Sequence, residues 1–136
     1  MIFGVGVDIV QLSRIAMALE KSKGRLVNKI LGAQETYQYH TFFARHPPRS
    51  LAYLATRFAA KEACAKALGL GLRSPMAWHA VQILNAENGR PQLHYAEVLR
   101  AWLISRNLIL TVSLSHEREY AIAQVTAWEN TDNGCK

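Results

Sequence analysis

The stretch RFAAKEACAKALG, residues 57–69, decides the fold of this chain. Its alanines, leucine and lysines favour a helix, which we predict over residues 50–68, and Gly69 suits the left-handed position that ends many helices. Glu62 is unexpected there, because it shares a helical face with Phe58 and Gly69 rather than lying on an all-polar face. The position of this acid raises the question of whether it belongs to a site.

A second acid raises the same question near the N-terminus. Residues 2–9, IFGVGVDI, have the β-branched and aromatic composition of a strand, and Gly4 and Gly6 indicate that another backbone or a ligand comes close. Asp8 lies near the end of this strand, where an unpaired charge would be costly. Asp8 and Glu62 are therefore either unrelated acids or two halves of one site.

The remaining patterns place both acids in one α+β domain. We predict three helices before the long one, a break at HPPRS (46–50), a hairpin around Asn88-Gly89, a further helix and a final antiparallel pair of strands. Their predicted bounds are 11–22, 25–31 and 33–44 for the early helices, 78–95 for the hairpin, 96–106 for the late helix, and 108–116 and 119–128 for the strands. This order predicts a single domain over residues 1–128, with antiparallel strands packed on the long helix, and a frayed polar tail over 129–136.

Composition limits the partners and the compartment. The 136 residues carry 16 basic and 10 acidic side chains, a net charge of +6, which favours an anionic partner such as a phosphate, a nucleic acid or an acidic protein. Cys64 and Cys135 have neither zinc spacing nor a disulfide framework, so we expect a reducing cytoplasm and a buried Cys64. The chain has no uninterrupted run of about 18 apolar residues, and we expect no membrane association.

The two acids suit a hard cation. Magnesium commonly takes one or two protein carboxylates while substrate phosphates and water complete its shell, and Asp8 and Glu62 offer such a pair. Two ordinary alternatives stay open. Asp8 could cap the first helix or turn, and Glu62 could pair with Lys66 in the favourable i,i+4 order, worth about 0.2–0.5 kcal/mol.

Several basic side chains accompany the acids. Lys66 lies one turn beyond Glu62, and with Arg57 and Lys61 it could neutralise phosphate oxygens, although a solvated basic face is the alternative. A second basic stripe follows the first helix at steps of three to four residues, and it could dock an acidic helix or simply be solvated. The stripe consists of Arg14, Met17, Lys21 and Arg25.

Other functions find little support. Ser115 and His116 are adjacent in a strand and face opposite ways, so they do not form the catalytic pair of a hydrolase. The remaining histidines show no metal-ligand spacing: His40, His46, His79 and His94. A noncatalytic module that binds nucleic acid is a rival reading, favoured by the basic charge, but no nucleic-acid recognition motif stands out and we expect no such partner.

Four stretches resemble, in order, the motifs of the holo-acyl-carrier-protein synthase family: GVGVDIVQLSRI (4–15), RFAAKEACAKALG (57–69), NGRP (88–91) and VSLSHEREYAIA (112–123). The resemblance spans nearly the whole chain and implies a 4′-phosphopantetheinyl transferase fold, in a homotrimer with active sites between subunits. It implies a magnesium-dependent transfer of the 4′-phosphopantetheine group from coenzyme A to a serine hydroxyl of apo acyl carrier protein. The reaction releases adenosine 3′,5′-bisphosphate and supports fatty acid biosynthesis.

The resemblance also implies roles for individual residues. The family's metal-binding carboxylates match Asp8 and Glu62, and its active-site lysine matches Lys66, which would assist proton removal or hold the phosphate. His116 matches a histidine near the nucleotide phosphates, and Arg14 matches the leading arginine of the carrier-docking helix. The positions around coenzyme A match Arg57, Phe58, Gly69, Asn88, Gly89 and Pro91.

The sequence departs from the family pattern in two places that bear on its surface. The docking helix has Ala18 where the family tends to carry a methionine, and Met17 stands one position earlier. The segment around residues 41–50 is somewhat long for the family. A protein that binds the carrier but has lost the chemistry is a further rival, and the intact Asp8, Glu62 and Lys66 speak against it.

Overall fold

The computed structural model describes residues 1–130, in which five helices and five strands follow the predicted α+β order. The first elements are β1 (Ile2–Gln11), α1 (Leu12–Lys21), α2 (Arg25–Ile30), α3 (Ala33–Arg45) and the central helix α4 (Pro47–Leu68). After α4 come β2 (Val81–Asn85), β3 (Pro91–Tyr95), α5 (Glu97–Ser105), β4 (Leu108–His116) and β5 (Tyr120–Glu129). The predicted single domain of antiparallel strands on a long helix is confirmed as a fold class. Residues 131–136, with Cys135, lie outside the described residues.

The central helix begins three residues earlier than predicted. Pro47 and Pro48 occupy its first turn, where the missing N–H groups would have had no intrahelical partner. Of the break predicted over 46–50, only His46 lies between α3 and α4. The helix ends as predicted at Gly69, whose φ of 71° is left-handed and favours glycine.

Two small antiparallel sheets accompany the helices. The larger one has the order β1-β5-β4, and its β4–β5 pair is the predicted one. β1 pairs with β5 along nearly its whole length, so that Asp8 lies opposite Ala123, and in the other pair His116 lies opposite Ala121. This pairing brings the N-terminal acid and the final histidine motif into one sheet.

The backbone of β1 rests directly on α4. A Cβ atom added to Gly6 would lie 1.9 Å from the carbonyl oxygen of Ala63, and one added to Gly4 would lie 2.0 Å from that of Ala67. Only glycine permits this approach, which confirms the close backbone contact that the two glycines predict. The contact sets how Asp8, two residues beyond Gly6 on the same face of β1, stands relative to α4.

The β2–β3 hairpin is confirmed, but its first strand is shorter than predicted. Residues 77–80 form a turn, in which the Ala80 amide donates to the Ala77 carbonyl at 3.0 Å, and β2 begins only at Val81. Trp78 in this turn stacks its ring on Phe58 of α4, with 5.3 Å between ring centroids. The apolar alternation that predicts a strand from residue 78 therefore reflects packing on α4 rather than strand pairing.

The two faces of the larger sheet differ in their surroundings. The face towards α4 is buried and packs on the buried side of that helix, which includes Cys64. Cys64 is 2% exposed, and burial raises the pKa of its thiol to about 12. The opposite face is apolar yet open to solvent, with Val7 52%, Ile9 60% and Ile122 39% exposed. Within residues 1–130, none of the helices combines the length and apolar character that a membrane crossing requires.

Candidate active site

The structure brings Asp8 of β1 and Glu62 of α4 to one place beside Lys66. The Lys66 ammonium donates hydrogen bonds to the Val7 carbonyl at 3.0 Å and to Asp8 Oδ1 at 3.2 Å. Partial burial raises the pKa of Glu62, and the negative charge of Asp8 raises it further while Lys66 opposes both effects. The two carboxyl groups therefore interact across the contact between the strand and the helix.

The two ordinary alternatives for these acids are wrong. Asp8 does not cap the first helix, because the N-cap residue of α1 is Gln11 and it forms no side-chain capping bond. Lys66 pairs with Asp8 at 3.2 Å, and the other ion pair among residues 1–130 is Lys61–Glu35, so the predicted Glu62–Lys66 pair is not formed.

The donor set fits a hard divalent cation. Carboxylate oxygens are the ligands that Mg²⁺ prefers, and two adjacent carboxylates with one partly exposed lysine leave negative charge for a cation to offset. Across residues 1–130 there is no cluster of three or more metal-ligating side chains. The pair thus has the composition of a magnesium site whose shell is completed by substrate and water, rather than that of an all-protein cage.

A separate cavity of about 220 Å³ lies between the first half of α4, the hairpin and the end of β4. We call it the hairpin pocket; its lining includes four predicted coenzyme A or phosphate residues, Arg57, Gly89, Pro91 and His116, together with Phe42, Arg49, Tyr53 and Asn85. Gly89 has a φ of 81°, as the hairpin turn requires. Asn88 is not in this lining; its carboxamide oxygen accepts a hydrogen bond from the Arg90 amide within the exposed turn.

Arg57 forms one wall of the hairpin pocket and is only 4% exposed. Its guanidinium donates to the Ile83 carbonyl at 2.9 Å and to Asn85 Oδ1 at 2.8 Å, and it lies 3.8 Å from the centroid of the Tyr53 ring. Burial lowers the pKa of Arg57. The prediction that Arg57 belongs to a solvated basic face is therefore wrong, and its charge is held rigidly at the pocket.

The environment of Lys61 contradicts both predictions made for this residue. It is neither a phosphate ligand nor part of a solvated face, because it is 0% exposed and paired with Glu35 at 2.6 Å. The reason is helical geometry: positions 57 and 61 share a face that turns towards α3 and β2, whereas positions 62 and 66 turn towards β1.

The predicted site residues thus fall into two groups within one chain. Glu62 and Arg57 are five positions apart on α4, which places them about 140° apart around its axis at 3.6 residues per turn. Phe58 and Gly69 belong with Glu62 and Lys66 on one face of α4, while the hairpin pocket occupies another.

Sequence reasoning missed Arg49 and Asn85. Arg49 lines the hairpin pocket and an adjoining cavity that also contains His46 and Arg118, which gives this end of the molecule several cationic groups. Both were hidden by their positions, because Arg49 falls in the predicted break before α4 and Asn85 in the predicted hairpin turn. No periodicity in the sequence could have placed them side by side.

The basic stripe is divided between two helices. Arg14, Met17 and Lys21 lie on α1, where Met17 is 57% exposed, but Arg25 begins α2. The chain turns between them through Lys23 (φ 53°) and Gly24 (φ 83°), so the three- to four-residue spacing of the stripe does not continue along one helix into Arg25. The left-handed turn changes the chain direction before the stripe can continue.

The chain is similar in sequence and in fold to known proteins. Residues 4–125 match the sequence model of the 4′-phosphopantetheinyl transferase superfamily. The holo-[acyl-carrier-protein] synthase of Paraburkholderia phymatum is 48% identical over 126 residues, 93% of each chain. Among solved structures, the Neisseria meningitidis holo-[acyl-carrier-protein] synthase aligns with a TM-score of 0.86 and 35% identity over 94% of this chain and 99% of its own. The Bacillus anthracis synthase in complex with CoA (3′,5′-ADP) aligns with a TM-score of 0.77 and 31% identity over 93% and 96%.

Proposed function

The chain belongs to the 4′-phosphopantetheinyl transferase superfamily, and from that membership we infer that it is a holo-acyl-carrier-protein synthase. It transfers the 4′-phosphopantetheine group from coenzyme A to a serine hydroxyl of apo acyl carrier protein. Adenosine 3′,5′-bisphosphate is the leaving product. The observation that carries this assignment to particular residues is the meeting of Asp8, Glu62 and Lys66 between β1 and α4.

Asp8 and Glu62 would hold Mg²⁺ in this reaction. When bound, the cation would supply positive charge that stabilises the pyrophosphate oxygens of coenzyme A in the transition state. The serine hydroxyl gives up its proton to solvent and its oxygen attacks the β-phosphorus in line. A bond forms between the serine oxygen and this phosphorus, and the bond from phosphorus to the bridging oxygen breaks, with its electron pair leaving on the nucleotide. No covalent enzyme intermediate is needed.

For Lys66 we favour the role of a phosphate clamp. Its side chain is 55% exposed, and Nζ donates to the Val7 carbonyl and to Asp8, so the amine lies beside the carboxylate pair where a phosphate would approach. Because the side chain is exposed, Nζ can therefore reach a phosphate oxygen while Asp8 and the Val7 carbonyl hold it at the carboxylate pair.

The hairpin pocket is suited to the nucleotide part of coenzyme A. The rings of Phe42 and Tyr53 provide apolar surface, Arg49 and Arg57 provide positive charge, and His116 adds a hydrogen-bonding imidazole, the combination that an adenosine bisphosphate requires. The turn glycine, Gly89, lets the backbone come close to the bound group.

A homotrimer with shared sites accounts for two features of the chain. The first is the open apolar face of the larger sheet, formed by Val5, Val7, Ile9 and Ile122, because neighbouring exposed apolar side chains of this kind mark interaction surfaces. The second is the separation of the carboxylate pair from the hairpin pocket around α4. If the sheet faces pack together, the carboxylate pair of one subunit can complete the pocket of the next.

The acidic carrier protein would dock on the basic surface of α1 and α2. Arg14 and Lys21 are exposed on α1 beside the exposed Met17, and Arg25 adds a charge at the start of α2. Charge complementarity of this kind speeds association and orients the partner. The cytoplasm is our proposed compartment and fatty acid biosynthesis the proposed pathway, both from the family resemblance.

Intact-mass spectrometry of an apo acyl carrier protein tests the proposal. The carrier is incubated with the chain, coenzyme A and Mg²⁺, with an EDTA-treated sample as control. We expect a mass gain of one phosphopantetheine that EDTA abolishes. A folded chain that modifies none of several carriers would refute the transferase and favour a binding role, whereas transfer that survives EDTA would remove the metal from Asp8 and Glu62.

A further inference from the structure

A fully buried ion pair joins α4 to several other parts of the fold, and the proposed reaction does not use it. Lys61 and Glu35 are both 0% exposed. The Lys61 ammonium donates to Glu35 Oε1 at 2.6 Å, to the Ile30 carbonyl at 2.6 Å and to the Trp78 carbonyl at 2.7 Å. All three ammonium protons therefore have acceptors.

Glu35 completes the cluster from the other side. Its Oε1 also accepts from the Gly32 amide at 3.0 Å, and its Oε2 accepts from the Ile83 amide at 2.9 Å. The carbonyl of Ile30 ends α2 and the amide of Gly32 precedes α3, so these are groups that helix ends leave without partners. The pair is tolerated in the interior because Lys61 Nζ and both carboxylate oxygens of Glu35 have hydrogen-bond partners.

The cluster is linked to the carboxylate pair through α4 and Trp78. Lys61 directly precedes Glu62, so the three bonds that hold Lys61 also fix the rotation of α4 that directs Glu62 towards Asp8. Trp78, whose carbonyl Lys61 binds, stacks on Phe58 one turn before Glu62.

The same cluster holds the hairpin. The Ile83 amide donates to Glu35, and the Ile83 carbonyl accepts from Arg57 Nε at 2.9 Å. Side chains thus satisfy both backbone groups of Ile83 on the edge of β2 that faces away from β3. The wall of the hairpin pocket is thereby attached to α4 one turn before Lys61.

We propose that Lys61 and Glu35 are positioning residues for the transfer: as one buried unit they hold Glu62 towards Asp8 and hold the hairpin pocket on the same helix. The proposal rests on the proposed function, because it takes the carboxylate pair as a metal site. Neither side chain touches substrate, and both act through the backbone and the helix face that they fix.

The test compares Lys61→Met, Glu35→Gln and the double variant with Leu103→Ala, a matched loss of buried packing on α5. Mn²⁺ binding is followed by electron paramagnetic resonance with coenzyme A present, at a temperature where circular dichroism shows each variant to be folded. We expect Lys61→Met to weaken Mn²⁺ binding by about 10–100-fold and to raise the KM for coenzyme A, as loss of groups that orient metal ligands does. Leu103→Ala should stay within about twofold of wild type.

A folded Lys61→Met chain that binds Mn²⁺ as tightly as Leu103→Ala overturns the proposal. If Lys61→Met does not fold, the test rests on Glu35→Gln, which preserves the side-chain shape and an acceptor oxygen. We expect Glu35→Gln to bind Mn²⁺ roughly tenfold more weakly than wild type, and wild-type binding would overturn the proposal. Since Mn²⁺ binding is measured without a carrier, a wild-type chain that binds the ion but transfers nothing counts against the proposed function instead.

Discussion

Substitution of Gly6 by alanine tests whether the close contact of β1 with α4 positions the carboxylate pair. The new Cβ would lie 1.9 Å from the Ala63 carbonyl oxygen and 2.8 Å from the Ala67 amide nitrogen, both backbone atoms that cannot rotate away. Because real Cβ contacts are essentially never shorter than 3.0 Å, the strand and the helix must separate by about 1 Å. Asp8 lies on the same face of β1 and moves with it.

Gly6→Ala should lower both the stability of the fold and the turnover. Overpacking of this kind lowers the free energy of unfolding by about 1–3 kcal/mol. A displacement of about 1 Å at a catalytic group lowers turnover by roughly 100-fold, because the reacting groups no longer meet in the productive geometry. Thermal unfolding followed by circular dichroism measures the loss of stability, and carrier modification followed by mass spectrometry measures the turnover at a temperature where the chain is folded.

The matched control is Gly71→Ala. Gly71 has a φ of 63° with open space around its Cβ position, so alanine there adds backbone strain of about 1–2 kcal/mol without separating β1 from α4. It should lose stability while its turnover stays within about twofold of wild type. Wild-type turnover and unfolding temperature in Gly6→Ala would refute the reasoning that backbone contact fixes the site.

Four further outcomes follow from the structure. Glu62→Gln should lower turnover by roughly 100-fold or more and abolish the stabilisation of the folded chain by Mg²⁺, because one of the two proposed metal ligands is lost; full activity in ordinary Mg²⁺ would exclude Glu62 from the site. Arg14→Glu should raise the KM for the carrier about tenfold and leave that for coenzyme A unchanged, as loss of charge complementarity requires; equal effects on both would contradict docking on α1. Ile122→Glu should convert the proposed trimer to smaller species in sedimentation, whereas Ile104→Glu on α5, a more exposed position, should not; an intact trimer in Ile122→Glu would place the interface elsewhere. In a Cys135→Ser background, Cys64 should react with a thiol reagent at pH 8 only after denaturation, because burial raises its pKa to about 12; rapid labelling of the native chain would contradict that burial.

Local chemistry in the sequence determined most of the elements. The run of helix-forming residues and Gly69 determined the body and the end of α4, and Asn88-Gly89 determined the hairpin. The alternation of residues pointing to opposite faces predicted the β4–β5 pair, and Gly4 and Gly6 predicted that β1 lies on another backbone. Asp8 and Glu62 could be selected because each is an acid within an apolar pattern, where a charge needs a partner.

The tertiary structure alone decided which elements cover which faces. Periodicity shows that Arg57, Lys61 and Glu62 point in different directions from α4, but it does not show what lies in each direction. The pairing of β1 with β5 joins residues more than a hundred positions apart, and no local pattern encodes it. For the same reason the burial of Lys61 against Glu35, the arrival of Arg49 at the hairpin pocket and the separation of the two groups of site residues became visible only in the folded chain. Local sequence determines the geometry of an element, whereas its partners depend on contacts between residues that are distant along the chain.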